Sequence, residues 1–401
     1  MKEQEYFFYQ LNKFFPIFYF SLLYLYGIKY LNFSCIDRIG MEQFPILKKL
    51  IGVTIPIFAE QFKILGVRLY PLLFSIGSYL LFLSIIKKRF HREREVFYIG
   101  SLFLLLPGTI ISTLIVNKGA VLLFLTFLIF KFYLEGYRFL TITLLLLYPL
   151  VDRAMLTLLT GFLVYALWQK NWRLGLVTTI GLAENLYFYP LHIGGIPRNH
   201  FTTLLLTYSA IYSPLPFFYF LYTLYRTTLN NRKGIIYFIT ASAFILSLLL
   251  SFRQRIQIDD YAPFTLPFIV YLIQQFLTSY RVRLKPFRQG YRWLFIGMFC
   301  SILFTDLMLF LNPFRNEIGS SYYFTKGLAN RIEREYHCFP ICSNQFLCSA
   351  LRFYSSKIEP SLPSCSIFYS KRKGEVEIEF NSTGQRVKKT IPISQLTTPN
   401  F

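Results

Sequence analysis

Long apolar stretches recur along most of this chain, and they constrain its fold more than any other feature. A helix needs about 20 mainly apolar residues to cross a lipid bilayer. Two of the stretches, 139–151 and 154–168, are short, and this pair could instead form a re-entrant hairpin. The sequence therefore predicts an all-α polytopic membrane protein with about eleven spans, near 15–33, 67–86, 96–116, 119–135, 139–151, 154–168, 174–191, 201–225, 234–252, 262–279 and 293–312.

The small share of charged residues supports the same class. Only 15% of the residues are charged and 54% are hydrophobic, whereas soluble domains carry about 25% charged residues. Such a chain cannot cover a water-facing surface, and it is too apolar to remain disordered. A formal net charge of +22 would also suit a nucleic-acid-binding protein, so the positions of the basic residues have to decide.

The basic residues are distributed asymmetrically between the loops. With the N-terminus in the cytoplasm, the inner loops carry seventeen Lys and Arg, and the short outer loops carry ten. Cytoplasmic loops of membrane proteins are enriched in these residues. We therefore expect a multi-pass protein of the inner (plasma) membrane, with a cytoplasmic N-terminus, an extracytoplasmic C-terminus and no nucleic-acid partner.

The last part of the chain, 315–401, is polar and contains four cysteines. In an exported segment they predict two disulfides with three possible pairings, and a zinc site is the rival interpretation. Residues 367–392 alternate apolar and charged side chains around 382–384, which is the pattern of a β-hairpin. We expect a transmembrane domain over 1–314 and a small extracytoplasmic, β-containing, disulfide-linked domain over 315–401. The candidate disulfide residues are Cys338, Cys342, Cys348 and Cys365.

Two outer clusters of polar residues are candidate sites. The first outer loop, 34–66, mixes charges with apolar runs at helical spacing, which suggests amphipathic helices on the membrane surface or, more simply, a solvated connection. The second cluster begins with Arg253 and Arg255, which can hold a phosphate by charge-assisted hydrogen bonds or anchor lipid headgroups. Asp306 lies in the middle of the last span, where we expect it to form a hydrogen bond between helices.

The motifs of several large enzyme classes are absent from the sequence. It contains no glycine-rich phosphate-binding loop followed by Lys-Ser/Thr, no His-Glu-x-x-His and no Gly-x-Ser-x-Gly. ATP-driven transport by this chain alone is therefore not expected. No metal ligands and no cofactor are predicted, although a requirement for a divalent metal stays open.

The order of these features, together with three short motifs, resembles a known family. The second span opens with the run 62–70 (FKILGVRLY), the third contains 106–108 (LPG), and a late span begins with 261–267 (YAPFTLP). Over residues 15–312 the chain resembles the GT-C superfamily of integral-membrane glycosyltransferases, especially its protein O-mannosyltransferase and aminoarabinose-transferase branch. The resemblance is one of layout and short motifs.

The resemblance implies inverting transfer of a sugar from a polyprenyl-phosphate-linked donor to a protein, lipid or glycan acceptor on the extracytoplasmic face. It also implies a catalytic carboxylate in the first outer loop. The matching residue is Asp37, with Glu42 as the nearest other acid. The chain departs from the family because Asp37 is followed by Arg38 instead of a second acid. On this hypothesis the residues that contact the donor phosphate are Arg253, Arg255, Lys63, Arg68 and Tyr261.

Three other functions remain open at this point. A polymerase or ligase of lipid-linked glycans would depend on the outer arginines, including Arg198, more than on Asp37. A transporter or flippase would move a lipid or a solute and would need no sugar acceptor. A non-enzymatic membrane scaffold would display the disulfide-linked tail to a partner.

Overall fold

The structure is a computed structural model dominated by helices. The residues that it describes are 2–31, 33–44, 49, 51–53, 63–190, 200–230, 233–311, 321–336, 338–342, 345–354, 363–370, 375–382 and 385–392.

The α-helices of the described residues follow one another almost without interruption until residue 311. In chain order they are α1 (Lys2–Tyr30), α2 (Cys35–Gln43), α3 (Lys63–Arg89), α4 (Glu93–Leu105), α5 (Pro107–Leu114), α6 (Lys118–Glu135), α7 (Arg138–Leu147), α8 (Met155–Trp168), α9 (Trp172–Phe188), α10 (Phe201–Tyr212), α11 (Pro214–Thr228), α12 (Ile235–Ser251), α13 (Ala262–Thr265), α14 (Ile269–Val282), α15 (Arg288–Leu311), α16 (Ser321–Arg331) and α17 (Gln345–Tyr354). Short 3₁₀ turns at 148–150, 258–260, 266–268 and 285–287 join some of them.

Several of these helices are apolar and long enough to cross a membrane. Among the described residues, α3 and α15 meet this test alone, and the bent pairs α4–α5 and α10–α11 meet it together. The membrane can therefore be crossed two to four times by these helices, and shorter apolar helices lie at Arg138–Leu150, Met155–Trp168 and Ile235–Ser251. The all-α polytopic architecture is confirmed, while the number of eleven spans stays a prediction.

Two stretches predicted as single spans are sharply bent. The segment near 96–116 bends by 60° where α5 begins at Pro107, because proline has no N–H to continue the helix and disfavours helical geometry in the preceding residue. The segment near 201–225 bends by 105° at Ser213, whose φ of 73° lies outside the helical region. The Ser213 hydroxyl donates to the Ser301 carbonyl over 2.9 Å and contacts the Thr305 hydroxyl over 2.6 Å, which holds the bend in place.

The contacts divide the chain into two compact units. The first comprises 1–20, 73–113 and 118–309. Its core is rich in aromatic rings, of which Phe82 lies 4.4 Å from Phe103 and 5.4 Å from Phe127, centroid to centroid. Helices α8 and α12 approach closely at Gly161, where a Cβ atom would lie 2.5 Å from the Cα of Ile239. A glycine is therefore needed at this crossing.

The second unit comprises 21–72, 114–117 and 310–401 and contains a four-stranded sheet. The strands are β1 (Phe339–Cys342), β2 (Ser364–Ser370), β3 (Glu375–Ser382) and β4 (Gln385–Pro392), in the order β1-β2-β3-β4. β1 pairs with β2 in parallel, and the other two pairings are antiparallel. The predicted hairpin is thus β3–β4, and residues 383–384 of its turn lie outside the described residues.

Two disulfides link this β-containing tail. Cys338 is bonded to Cys365, and Cys342 is bonded to Cys348. Both sulfurs of the first bond lie in the core beneath the sheet, together with buried Ile367, Val376 and Ile378. The two disulfides expected from the four tail cysteines are therefore present, and one of the three open pairings is selected. His337, which precedes Cys338 and could have joined the rival zinc site, lies outside the described residues.

The tail helix α17 packs against α2 within the second unit. Ala350 of α17 is fully buried in a cluster that also contains Met41 of α2 and Val67 of α3. The Phe353 ring lies 4.3 Å from the Phe33 ring, and the Tyr354 hydroxyl accepts a hydrogen bond from the Phe33 N–H. The tail therefore helps to hold the segment that carries Asp37.

Candidate functional site

Asp37, the carboxylate predicted as catalytic, lies in the first turn of α2 in the second unit. Ser34 caps this helix because its hydroxyl accepts from the N–H groups of Ile36 and Asp37 at 3.2 and 3.4 Å. Asp37 Oδ2 accepts in return from the Ser34 N–H at 3.2 Å, which completes a capping box. A Ser followed three residues later by an acid produces this geometry from the local sequence alone.

A buried arginine neutralises Asp37. Arg68 of α3 donates from Nη1 to Oδ1 over 2.9 Å and from Nη2 to Oδ2 over 3.0 Å, a bidentate ion pair. Asp37 is 0% exposed and Arg68 2%. The Val116 N–H also donates to Oδ1 over 3.0 Å, and Arg68 Nη1 donates to the Leu114 carbonyl over 2.6 Å. Both oxygens of Asp37 are therefore occupied, and the pair joins three segments of the chain.

The other residues predicted near Asp37 are described only in part. Glu42 belongs to the last turn of α2, but its side chain lies outside the described residues. Lys63 is the first residue of α3 and is half-buried. Of the predicted residues of the first outer loop, the structure therefore brings Asp37 and Arg68 into contact.

A second cluster of charges lies in the first unit around a buried lysine. Lys118, the first residue of α6, is 4% exposed. Its Nζ lies 3.1 Å from Oδ1 of Asp152 and also contacts Oδ1 of Asp260. Arg153 completes the cluster, because its Nη2 lies 3.1 Å from Oδ2 of Asp260. Two carboxylates and two cations thus form one buried to half-exposed network.

Backbone geometry fixes the members of this network. Asp152 lies in the turn before α8, where its Oδ1 also accepts from the Ala154 N–H over 2.8 Å. Asn185 of α9 donates to the carbonyls of Pro149 and Asp152 over 2.8 and 3.1 Å and so holds the turn. Asp260 ends the 3₁₀ turn that precedes α13. Lys118, Asp152 and Asp260 were not predicted as site residues, although their opposite charges in predicted outer loops were a usable signal.

The predicted phosphate-binding arginines lie in the same unit, on the segment that leads into Asp260. Arg253 and Arg255 are exposed, and neither forms an ion pair with a carboxylate of the described residues. The segment is held at Gln257, whose side-chain oxygen accepts from Arg153 over 2.5 Å. Two available guanidinium groups on a segment anchored at one end can bind an anionic group such as a phosphate.

Two neighbouring groups on this segment have raised pKa values. Burial raises the pKa of Asp259 above its ordinary value, an effect that the nearby Lys118 opposes and Asp260 reinforces. Burial also raises the pKa of Tyr261 to about 12, and the charge of Asp260 adds to the shift. Tyr261 therefore keeps its hydroxyl proton at neutral pH and can donate a hydrogen bond to an anion.

Two further observations concern metals and Asp306. Among the residues that the structure describes, no group of three or more His, Cys, Asp or Glu lies together to hold a metal ion. Asp306 of α15 is 6% exposed, and neither of its carboxylate oxygens has a hydrogen-bond partner among the described residues. The hydrogen bond between helices that we expected for Asp306 is therefore not formed among the described residues.

Comparisons with known proteins give a match in structure but not in sequence. No family model matches the chain, and no curated protein matches its sequence. The fold is similar to the crystal structure of ArnT from Cupriavidus metallidurans in the apo state, with a TM-score of 0.55 at 12% identity. The similarity covers 97% of this chain and 100% of the ArnT chain. At this identity the likeness concerns the fold, and the chain therefore has the GT-C-like fold that the resemblance implied.

Proposed function

We propose that the protein is a membrane glycosyltransferase that moves a sugar from a polyprenyl-phosphate-linked donor to an acceptor on the extracytoplasmic face. The observation that carries this proposal is the extent of the fold similarity, which includes 97% of this chain and the whole of ArnT, an aminoarabinose transferase of the GT-C superfamily. A partial likeness would support a shared membrane scaffold only. A likeness over the full length of both chains supports a shared type of reaction.

The segment that carries Arg253 and Arg255, here called the arginine segment, suits the binding of the donor phosphate. When the bond between sugar and phosphate breaks, the departing phosphate gains negative charge, and fixed cations stabilise it. Arg253 and Arg255 are exposed and available for this role, while Tyr261 can add a neutral hydrogen-bond donor. Lys118 is committed to Asp152 and Asp260, so its proposed role is to hold the segment and not to bind the donor.

Asp37 is proposed as the base that takes the proton from the acceptor, under a condition that its contacts define. A general base must accept a hydrogen bond from the group that it deprotonates. Because all of the oxygens of Asp37 are occupied, the acceptor hydroxyl has to displace one donor, and the Val116 N–H is the single uncharged donor on Oδ1. Arg68 then keeps the carboxylate ionised and oriented, and Glu42 is the alternative acid on the same helix.

The experiment that tests the arginines uses the purified protein in lipid vesicles with a polyprenyl-phosphate-linked sugar and an acceptor extract. The measured quantity is the rate at which sugar leaves the lipid. Loss of a group that stabilises transition-state charge costs about 100-fold or more in rate. The rate of sugar release by the Arg253→Gln/Arg255→Gln variant should therefore fall by about that factor. Arg173→Gln, an exposed arginine of α9 in the same unit, is the matched control and should retain the rate.

Two outcomes would contradict the proposal. Wild-type transfer by the double arginine variant would remove these residues from the donor site. Movement of the intact lipid-linked sugar between the two leaflets, with no cleavage by any protein variant, would show a transporter instead of a transferase.

A further inference from the structure

A group of adjoining cavities in the first unit lies away from Arg253 and Arg255. The segment 262–279, which the sequence predicts to cross the membrane, contains α13, a 3₁₀ turn and most of α14. The arginine segment precedes this predicted span, and the cavities surround the far half of the span. The charge distribution of the sequence predicts this far end to be cytoplasmic.

The cavity system begins as an apolar groove between α4, α14 and α15. Two adjoining cavities of about 50 and 340 Å³ share the lining residues Leu102, Ile273, Phe276 and Phe295, and together they are called the groove. Its floor is made of aliphatic and aromatic side chains. A groove with this lining suits a long hydrocarbon chain.

The far end of the groove becomes basic. A third cavity, of about 300 Å³, shares Glu95 and Leu277 with the second one. Its rim carries Arg89, Arg92 and Arg281, and Arg292 lines the adjoining cavity. The groove therefore leads from an apolar floor to a cluster of four guanidinium groups.

The charges at this end are not balanced by the lining. Glu95 is the one acid among the described lining residues of these cavities, and it is paired with Arg281. Arg292 donates from Nε to the Tyr280 hydroxyl over 3.1 Å, and Arg89 lies over the Tyr271 ring at 5.2 Å, both of which leave the positive charge in place. A surplus of positive charge therefore remains at the mouth of an apolar groove.

We propose that this groove binds a lipid phosphate monoester, with its hydrocarbon chain along the apolar floor and its phosphate at Arg89, Arg92 and Arg292. A phosphate monoester carries a charge of about −1.5 to −2 at neutral pH, which matches the surplus better than the single charge of a phosphodiester lipid. Arginine is suited to this role because its planar group donates two parallel hydrogen bonds to phosphate oxygens. The site is separate from the proposed donor site, and binding to it requires neither donor nor acceptor.

The test measures binding of a polyprenyl monophosphate to the full-length protein in phosphatidylcholine nanodiscs by native mass spectrometry. The affected variant is Arg89→Gln/Arg92→Gln, and the matched control is Arg138→Gln/Arg173→Gln, two exposed arginines of the same unit. A hydrogen bond to a charged group contributes about 1.5–3 kcal/mol, so loss of both arginines should weaken binding at least about tenfold. The control should bind like the wild type.

Further arms separate the ligand classes. Phosphatidylglycerol, which is a phosphodiester lipid, should bind at least about tenfold more weakly than the monophosphate lipid because its phosphate carries a single charge. Inorganic phosphate should also bind at least about tenfold more weakly, because it has no hydrocarbon chain to bury in the apolar groove. Ile273→Trp, which fills the apolar groove, should weaken binding of the lipid while the arginines are intact. Equal affinity for phosphatidylglycerol, equal affinity for inorganic phosphate, or unchanged binding by the double arginine variant would each overturn the proposal.

The outcome is distinguishable from failure of the proposed transferase activity. Arg89→Gln/Arg92→Gln should retain sugar transfer at saturating donor, because neither arginine belongs to the proposed donor site. A wild-type protein that binds the lipid monophosphate but transfers no sugar would support the groove and contradict the transferase.

Discussion

At the scale of single residues, the two buried charge clusters differ in the number of carboxylates that each cation contacts. Asp37 and Arg68 form a closed pair, whereas Lys118 serves two carboxylates at once. Removing one partner of a buried pair leaves an uncompensated charge and costs about 3–5 kcal/mol. Each residue can therefore be tested for a structural role that is separate from chemistry.

Lys118→Met should lower the free energy of unfolding by about 3–5 kcal/mol, because Asp152 and Asp260 lose their shared cation. Arg153→Gln is the control. The Arg153 side chain is 55% exposed, and an exposed pair contributes about 1 kcal/mol or less. Thermal unfolding of both variants in the same detergent measures the difference. An equal, small effect of the two substitutions would contradict a central role for Lys118.

Asp37→Asn distinguishes the base from the structural partner. If the ion pair holds α2, the variant loses about 3–5 kcal/mol of stability, and Arg68→Met added to it restores part of the loss, because no charge is then left buried. If Asp37 is also the base, transfer is lost and the second substitution does not restore it. A stable and fully active Asp37→Asn protein would contradict both roles.

Asp259 should make stability depend on pH. Its pKa is raised in the folded state by burial, so ionisation disfavours folding once the pH exceeds the pKa of the unfolded chain, about 3.9. Below that value both states are protonated, and the group contributes nothing. Asp259→Asn should therefore gain stability over the wild type as the pH rises through this range, and the gain should level off above the raised pKa. A constant difference in melting temperature between about pH 3 and about pH 8 would contradict the assignment.

At the scale of elements, the bend between α10 and α11 shows how tertiary contacts override a local pattern. The apolar run 201–225 predicts one span, and Pro214 is tolerated at the first position of a helix. The bend instead arises because Ser213 adopts a positive φ and bonds to Ser301 and Thr305, 88 and 92 residues away. A sequence pattern contains no signal for contacts at such a separation.

Substitutions at Ser213 separate the backbone from the hydroxyl. Its φ of 73° and ψ of 149° are favourable only for glycine. Ser213→Ala should lose about 0.5–1.5 kcal/mol, because one hydrogen bond is lost while the backbone strain remains. The half-buried Ser301 carbonyl and Thr305 hydroxyl stay hydrogen-bonded to each other. Ser213→Gly loses the same partner but relieves the strain, so it should be less destabilising. Thermal unfolding measures the order, and a more stable alanine variant would contradict the account of the bend.

The tail shows which features of a small domain can be predicted from residues that are close in sequence. Alternating residues predicted the β3–β4 hairpin, whose register is set by neighbouring positions. The parallel pairing of β1 with β2 joins residues 25 positions apart, and the Cys338–Cys365 disulfide joins residues 27 positions apart. Those long-range partners could not be chosen among three equivalent pairings by spacing alone.

The two disulfides should differ in how much they stabilise the tail. Their cysteines are 27 and 6 positions apart, and the chain-entropy relation gives about 3.6 and about 2.4 kcal/mol for loops of these lengths. Cys338→Ala/Cys365→Ala should therefore make the tail more sensitive to protease than Cys342→Ala/Cys348→Ala. Protease digestion of the full chain at increasing temperature measures this order. The reverse order would contradict the loop-length argument.

At the scale of the whole molecule, apolar composition predicted the membrane class because each span is a local property. The charged networks were not predictable in the same way. Asp37 and Arg68 were each candidates, but their pairing joins positions 31 apart. Lys118 and Asp152 are 34 apart and meet through turns that the sequence does not mark. The sequence therefore predicts candidate residues, whereas the folded structure shows which of them contact each other.

The proposed reaction breaks the bond between the sugar and the lipid phosphate of the donor. Phosphorus NMR of vesicles that contain the purified protein, a polyprenyl-phosphate-linked sugar and an acceptor extract follows that bond directly, because the lipid phosphate changes from a diester to a monoester. The account predicts a monoester signal that grows with wild-type protein and Arg173→Gln, and grows about 100-fold more slowly with Arg253→Gln/Arg255→Gln. A diester signal that stays unchanged with folded wild-type protein would contradict it.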